Sequence, residues 1–206
     1  IESAGTRILI DTGLGKADAP RFGQLATALE SEGYNANDID ILFITHFHPD
    51  HCNGLVDQTG APCYPNSQPV TTQTEWNYWM NETMLTTTSE ERSAILTRIM
   101  TSLGDRFRFL NDGEPLAPGI TLVEMPGHTP GHTGLLIESN GERLFFVVDI
   151  IHSLAQLKYP HWHFFFDTDP ELAVRSRKAM LARAADKNLL TLFFHLPFPG
   201  LGYITH

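Results

Sequence analysis

Short apolar runs recur along this chain, and each stops at a polar residue. Arg7-Ile8-Leu9-Ile10-Asp11 is the first; closed by Thr12-Gly13, it predicts a strand. Phe22, Leu25, Ala26 and Leu29 then recur at helical spacing, which predicts a helix from Phe22 to Glu32 with Gly33 as its stop. Ile39 to Ile44, rich in β-branched and aromatic residues, reads as a buried strand that delivers the chain into Thr45-His46-Phe47-His48-Pro49-Asp50-His51. A second helix is predicted over Ser89 to Leu103. Ser89 is placed to cap it, Glu90 and Glu91 suit its positive end, and Ile95, Leu96, Ile99, Met100 and Leu103 share one face.

The second half repeats the theme. Ile120 to Glu124 reads as a strand leading into the loop Pro126 to Gly134, and Asn140-Gly141 joins Gly134 to Glu138 with Arg143 to Val148 as a hairpin that ends at Asp149. A long amphipathic helix from Pro170 to about Lys187 precedes the run Leu189 to Phe194, which ends in His195. No repeat, low-complexity tract or linker divides the sequence. The pattern predicts a single α/β domain over residues 1–206, with sheet inside and helices outside.

Charge narrows the choice of partner. A net charge of -10 argues against nucleic acid and against an anionic membrane surface, both of which need a positive face, and favours a small neutral or weakly charged substrate. No basic cluster stands beside the histidine motifs in the sequence. Cys52 and Cys63 form no C-x-x-C pair, so no thiolate zinc site is expected; one disulfide between them stays open. The absence of a long apolar run or a signal-peptide pattern predicts a soluble chain, and leaves cytoplasmic and exported locations both open.

The chemistry concentrates at the ends of the runs. His46, His48, Asp50 and His51 pack four ligand-type side chains into one short loop behind a buried strand, a costly arrangement unless a cation binds them. Alternate residues of an extended loop face opposite ways, so the spacing suggests two metals, His46 and His48 on one and Asp50 and His51 on the other. Asp149, closing the apolar run Leu144 to Val148, needs a cation or a helix N-terminus to answer its charge. His195 ends another run in the same way. Taken singly it would be an ordinary core histidine, but here three strand ends present His or Asp, and sheet enzymes assemble sites at strand ends. Pro126-Gly127-His128-Thr129-Pro130-Gly131-His132 adds two more histidines on a tight loop.

In their order, Asp11-Thr12-Gly13, Thr45 to His51, Pro126-Gly127-His128-Thr129, Asp149 and His195 resemble the metallo-β-lactamase superfamily over nearly the whole chain. The resemblance implies a four-layer αβ/βα sandwich, with His46, His48, Asp50, His51, His128, Asp149 and His195 as ligands of two divalent metal ions. It also implies that Asp149 bridges the metals and that His132 is not a ligand. True β-lactamases lack that bridging aspartate, and no second domain of the glyoxalase II or nuclease type is visible. Phe166-Asp167-Thr168-Asp169 and His195-Leu196-x-Phe198-Pro199-Gly200-x-Gly202 add a likeness to methyl parathion hydrolases and N-acyl homoserine lactone lactonases. The segment these carry before Arg7 and their last strand, after His206, are expected to lie outside this sequence.

What the resemblance implies chemically is a hydrolase whose water is activated between two metals, which lower its pKa from near 16 towards about 7. Zn²⁺ is the expected metal, with Mn²⁺, Fe²⁺ or Co²⁺ compatible with the same ligands. Asp50 would orient the water and move its proton, and His152, three residues beyond Asp149, would contact the substrate's carbonyl or leaving oxygen. Expected substrates are lactones or esters, with a phosphotriester as the alternative. A metal-binding sensor without turnover is the rival reading, and a homodimer is compatible with the sequence. Trp76, Tyr78, Trp79, Phe107, Phe109, Trp162 and Phe164 to Phe166 are candidate pocket walls, with the core as the alternative place for each.

Overall fold

In the computed structural model, which describes residues 1–15 and 22–205, Ala4 and Gly5 take left-handed backbone conformations and fold β1 (Glu2–Ser3) back onto β2 (Thr6–Ile10). β3 (Ile41–Phe43), β4 (Gln68–Thr71) and β5 (Arg108–Phe109) then add in parallel, giving a five-stranded sheet in the order β1-β2-β3-β4-β5. This sheet belongs to a first compact unit, Ile1–Leu110. Its helices are α1 (Leu25–Ser31), α2 (Pro49–Cys52), α3 (Gln73–Trp79), α4 (Glu82–Thr87) and α5 (Glu90–Leu103). The expected helix from Phe22 is shorter than its apolar spacing suggests. Gly23 is left-handed at φ 73°, Phe22 is 48% exposed, and α1 buries none of its residues.

α5 forms as its sequence predicts, with the Ser89 side chain accepting from the Arg92 N–H and with Leu96, Ile99 and Leu103 buried against Leu42, Ile44, Phe47 and Leu55. That apolar cluster underlies the ligand loop, because Ile44 and Phe47 bracket Thr45-His46 and are both fully buried.

The second unit, Asn111–His206, holds a six-stranded sheet in the order β11-β10-β9-β8-β7-β6. Its strands are β6 (Pro115–Ala117), β7 (Ile120–Glu124), β8 (Thr133–Ser139), β9 (Glu142–Val148), β10 (Leu190–Phe193) and β11 (Leu201–Tyr203). Asn140 and Gly141 both have positive φ, the type I′ turn that the Asn-Gly pair predicts between β8 and β9. Two helices follow, α6 (Leu154–Lys158) and α7 (Pro170–Asp186), the latter capped by Asp169, whose side chain accepts from the Leu172 N–H, with Pro170 in its first turn. β10 returns parallel to β9, so both strands end on the same side, at Asp149 and His195 respectively. Each unit therefore mixes helices with its own sheet. Among the described residues no helix is long and apolar enough to cross a membrane, and Cys52 and Cys63 form no disulfide.

Candidate metal centre

In the first unit the chain leaves β3 through the buried pair Ile44-Thr45 and presents His46, fully buried, before Pro49 opens the one-turn helix α2 that carries Asp50 and His51. His46 Nε2 lies 3.2 Å from His48 Nδ1, His51 Nε2 lies 3.6 Å from Asp50 Oδ2, and the His46 and His51 rings are 4.0 Å apart. Asp11 fixes one of these groups. As the chain turns out of β2, Asp11 adopts φ 58° and brings its Oδ2 within 2.7 Å of His51 Nδ1, while the Thr45 N–H and Oγ1 donate to the same carboxylate at 2.9 and 2.8 Å. Burial raises the Asp11 carboxyl above its ordinary value, against the opposing pull of His51 and Thr45. With its Nδ1 proton held by a carboxylate, His51 presents the lone pair of Nε2, the geometry expected of an imidazole that ligates a metal.

The backbone between His46 and His48 is held on both sides. The Phe47 N–H donates to Glu75 Oε1 at 2.9 Å, an oxygen that also accepts from Trp79 Nε1 at 2.7 Å, and the Phe47 carbonyl accepts from Arg92. Tertiary folding thus brings a guanidinium behind a loop whose sequence surroundings lack one. It does not face a substrate, since Arg92 also donates to Asn53 Oδ1 at 3.0 Å and covers the Trp79 ring at 5.1 Å.

The second unit repeats this construction with different parts. Val148, the last residue of β9, sits at φ 51°, an unfavourable conformation for a β-branched residue, and this turn swings Asp149 out of the strand. Asp149 Oδ2 then lies 2.9 Å from His195 Nε2, 3.5 Å from His128 Nε2 and 3.4 Å from His152 Nε2. His128, Asp149 and His152 offer ligand atoms that are all within 4.8 Å of one another. Asp167 holds the far side of His128, its Oδ1 3.0 Å from Nδ1. Burial opposes the charge of Asp167, but His128, the Phe164 N–H and Arg177 together keep its carboxyl below the ordinary value. Both nitrogens of His132 are occupied: Nδ1 lies 3.0 Å from the Met125 carbonyl and Nε2 accepts from the Asp149 N–H at 3.2 Å. No lone pair is left on His132 for a metal.

His152 stacks on Phe164 with ring centres 3.6 Å apart, and burial lowers its pKa although Asp149 pulls the other way. Its Nδ1 has no hydrogen-bond partner among the described residues. The aromatic residues considered as pocket walls divide between the units. Trp76, Tyr78, Trp79, Phe107 and Phe109 pack in the core of the first, whereas Trp162, Phe165 and Phe166 are exposed in the second.

Sequence reasoning quotes Asp11 and Asp167 only as members of motifs, and it passes over Glu75, Arg92 and Arg177. For Arg177 a signal exists: with Ala173, Met180 and Ala184 it occupies the buried face of α7, where a charge is out of place unless it is engaged. The donor set fits a borderline divalent cation, being imidazole and carboxylate with Nδ1 of both His51 and His128 already tied to carboxylates.

The sequence model of the metallo-beta-lactamase superfamily matches residues 1–195. The chain belongs to that superfamily. Among solved structures, this metallo-beta-lactamase chain is similar to AidC, a dizinc quorum-quenching lactonase in complex with a product, N-hexanoyl-L-homoserine, with TM-score 0.91 and 32% identity over 100% of this chain and 74% of that one. It is also similar to the hydrolase AbOPH of the beta lactamase superfamily, with TM-score 0.85 and 28% identity over 98% of this chain and 72% of that one. An N-acyl homoserine lactonase of Bacillus thuringiensis is 24% identical over 172 residues, 84% of this chain and 62% of the relative. A protein of Mycobacterium tuberculosis described as a probable metallo-hydrolase is 26% identical over 182 residues, 68% of this chain and 51% of the relative. The chain thus spans between half and two thirds of these curated relatives, 51% and 62%. The mixed α/β architecture with two sheets is that of the family.

Proposed function

We propose that this chain is a dinuclear metal-dependent hydrolase that opens lactones of the acyl homoserine lactone type or cleaves esters. The observation that carries the reading is the pair of carboxylate-imidazole contacts, Asp11 with His51 and Asp167 with His128, since an imidazole that ligates a metal through Nε2 is characteristically held at Nδ1 by such a carboxylate. The ligand set that the family resemblance implies, His46, His48, Asp50, His51, His128, Asp149 and His195, would hold two divalent ions, with Asp149 shared. Zn²⁺ suits this nitrogen and oxygen set, as do Mn²⁺, Fe²⁺ and Co²⁺. When bound, such a pair supplies an activated water at neutral pH and polarises the substrate's oxygen.

The chain's own groups do the rest. Asp50, half-exposed and with a second carboxylate oxygen, orients the attacking water and takes its proton. His152, kept neutral by burial, donates a hydrogen bond to the carbonyl or leaving oxygen of the substrate. The kinship to proteins described as lactonases supports a lactone as substrate, and the net charge of -10 disfavours a strongly anionic one.

The test combines metal analysis with turnover. The reading expects about two transition-metal ions per chain and hydrolysis of an acyl homoserine lactone in preference to a methyl phosphotriester. Preference for the phosphotriester would reassign the substrate. A metal-replete chain inert on lactones, esters and phosphotriesters would leave a metal-binding sensor.

A further inference from the structure

A single guanidinium lies behind three of the elements that carry the second unit's candidate site. Arg177, fully buried on α7, donates from Nε to the Ile150 carbonyl at 2.7 Å, from Nη1 to the Pro160 and Trp162 carbonyls at 3.1 and 2.9 Å, and from Nη2 to Asp167 Oδ2 at 3.5 Å. Ile150 follows Asp149 directly. Pro160 and Trp162 belong to the segment whose Phe164 stacks on His152, and Asp167 faces His128 through its other oxygen.

We infer that Arg177 is a positioning residue that sets the orientation of His128 through Asp167 and fixes the backbone on which Asp149 and the aromatic segment 159–166 stand. The inference rests on His128 and Asp149 being metal ligands, as proposed above. Two physical points favour a positioning role over a purely stabilising one. A fully buried ion pair contributes little net stability compared with apolar side chains of the same volume, because desolvation offsets the attraction. The acceptors, moreover, are backbone carbonyls from separate segments plus one carboxylate, which a planar fork with five donors satisfies at once and the three donors of a lysine ammonium do not.

Asp167 needs the guanidinium for a specific reason. Its Oδ1 faces His128, and its Oδ2 accepts from the Phe164 N–H at 3.0 Å and from Arg177, so both oxygens are committed and the carboxylate plane is defined. Without Arg177, Asp167 keeps one backbone donor and can rotate, and the direction of the His128 lone pair rotates with it.

The experiment compares Arg177→Met, Arg177→Lys and Asp167→Asn with Met180→Ala, a buried apolar truncation on the same helix, by zinc affinity in chelator competition and by Tm. The expected result is a loss of zinc affinity of roughly tenfold to a hundredfold in both Arg177 variants and in Asp167→Asn, as for other removals of a ligand's orienting partner. Met180→Ala should lower Tm with zinc affinity unchanged. Arg177→Met added to Asp167→Asn should cost little further affinity, since the two act in series. The inference is overturned if the Arg177 variants lose Tm but bind zinc as the wild type does, or if the two losses simply add. Should Arg177→Met not fold, Arg177→Lys and Asp167→Asn carry the same comparison. A wild type that takes up no zinc overturns this inference and the proposed function together. A wild type that binds zinc but opens no lactone overturns only the substrate reading, because zinc affinity is read without turnover.

Discussion

The backbone N–H of Asp149 donates to Nε2 of His132 at 3.2 Å, so the second histidine of the Gly-His-Thr-Pro-Gly-His loop holds the main chain of the carboxylate that His128, His152 and His195 surround. The expected phenotype of His132→Ala follows. Metal content should stay close to that of the wild type, while stability falls by about 1–3 kcal/mol from the unpaired Met125 carbonyl and Asp149 N–H. Metal analysis beside a denaturant titration checks both halves; loss of a metal at unchanged stability would make His132 a ligand.

Asp149→Ala should behave in the opposite way. Removing the oxygen on which three imidazoles converge should lower bound metal from about two ions per chain to one or fewer and reduce turnover by orders of magnitude. A variant that retains both ions after dialysis would remove Asp149 from its shared role.

His152→Ala tests the proposed role of His152 as a donor to the substrate. A donor to charge that develops only in the transition state should lower kcat by roughly tenfold to a thousandfold with metal content unchanged. Steady-state kinetics on a lactone with the metal-replete variant decides this, and an unaltered kcat would exclude the role.

Glu124 supplies a pH-dependent prediction away from the proposed metal ligands. Burial, and then the nearby Asp112, raise its carboxyl above the ordinary value of 4.5, so the folded chain binds this proton more tightly than the unfolded chain does. Above the raised value ionised Glu124 opposes folding, and the opposition disappears as pH falls through that value towards the ordinary one. Glu124→Gln should therefore melt higher than the wild type at neutral pH, with the gap closing in acid. Thermal melts across that range test it, and a gap that widened in acid would reverse the assigned sign.

What could be read from the sequence depended on how local its cause was. The span Ile120–Glu124, the Asn140-Gly141 turn and the Ser89 cap follow from neighbours within a few residues, and each forms where it is expected. β4 carried no such signal. Gln68-Pro69-Val70-Thr71 begins polar and includes a proline, yet it pairs in parallel with Ile41–Phe43, a partner that only a long crossover brings alongside. The site divides in the same way. His46, His48, Asp50 and His51 stand out because they crowd one loop, whereas what Asp11 does for His51 depends on a contact across 40 positions. Arg177 lay between the two cases, conspicuous on a buried helix face but without a visible purpose until its acceptors were assembled around it.

Gly127 carries a last consequence. At φ 127°, a Cβ there would fall 2.1 Å from the Ala173 backbone nitrogen near the start of α7, so even alanine would force loop and helix apart. In a laboratory evolution campaign for new substrates, this position should return glycine in every active clone. Accepted variation should collect instead around Phe165, which is 91% exposed and can change without moving the loop that carries His128.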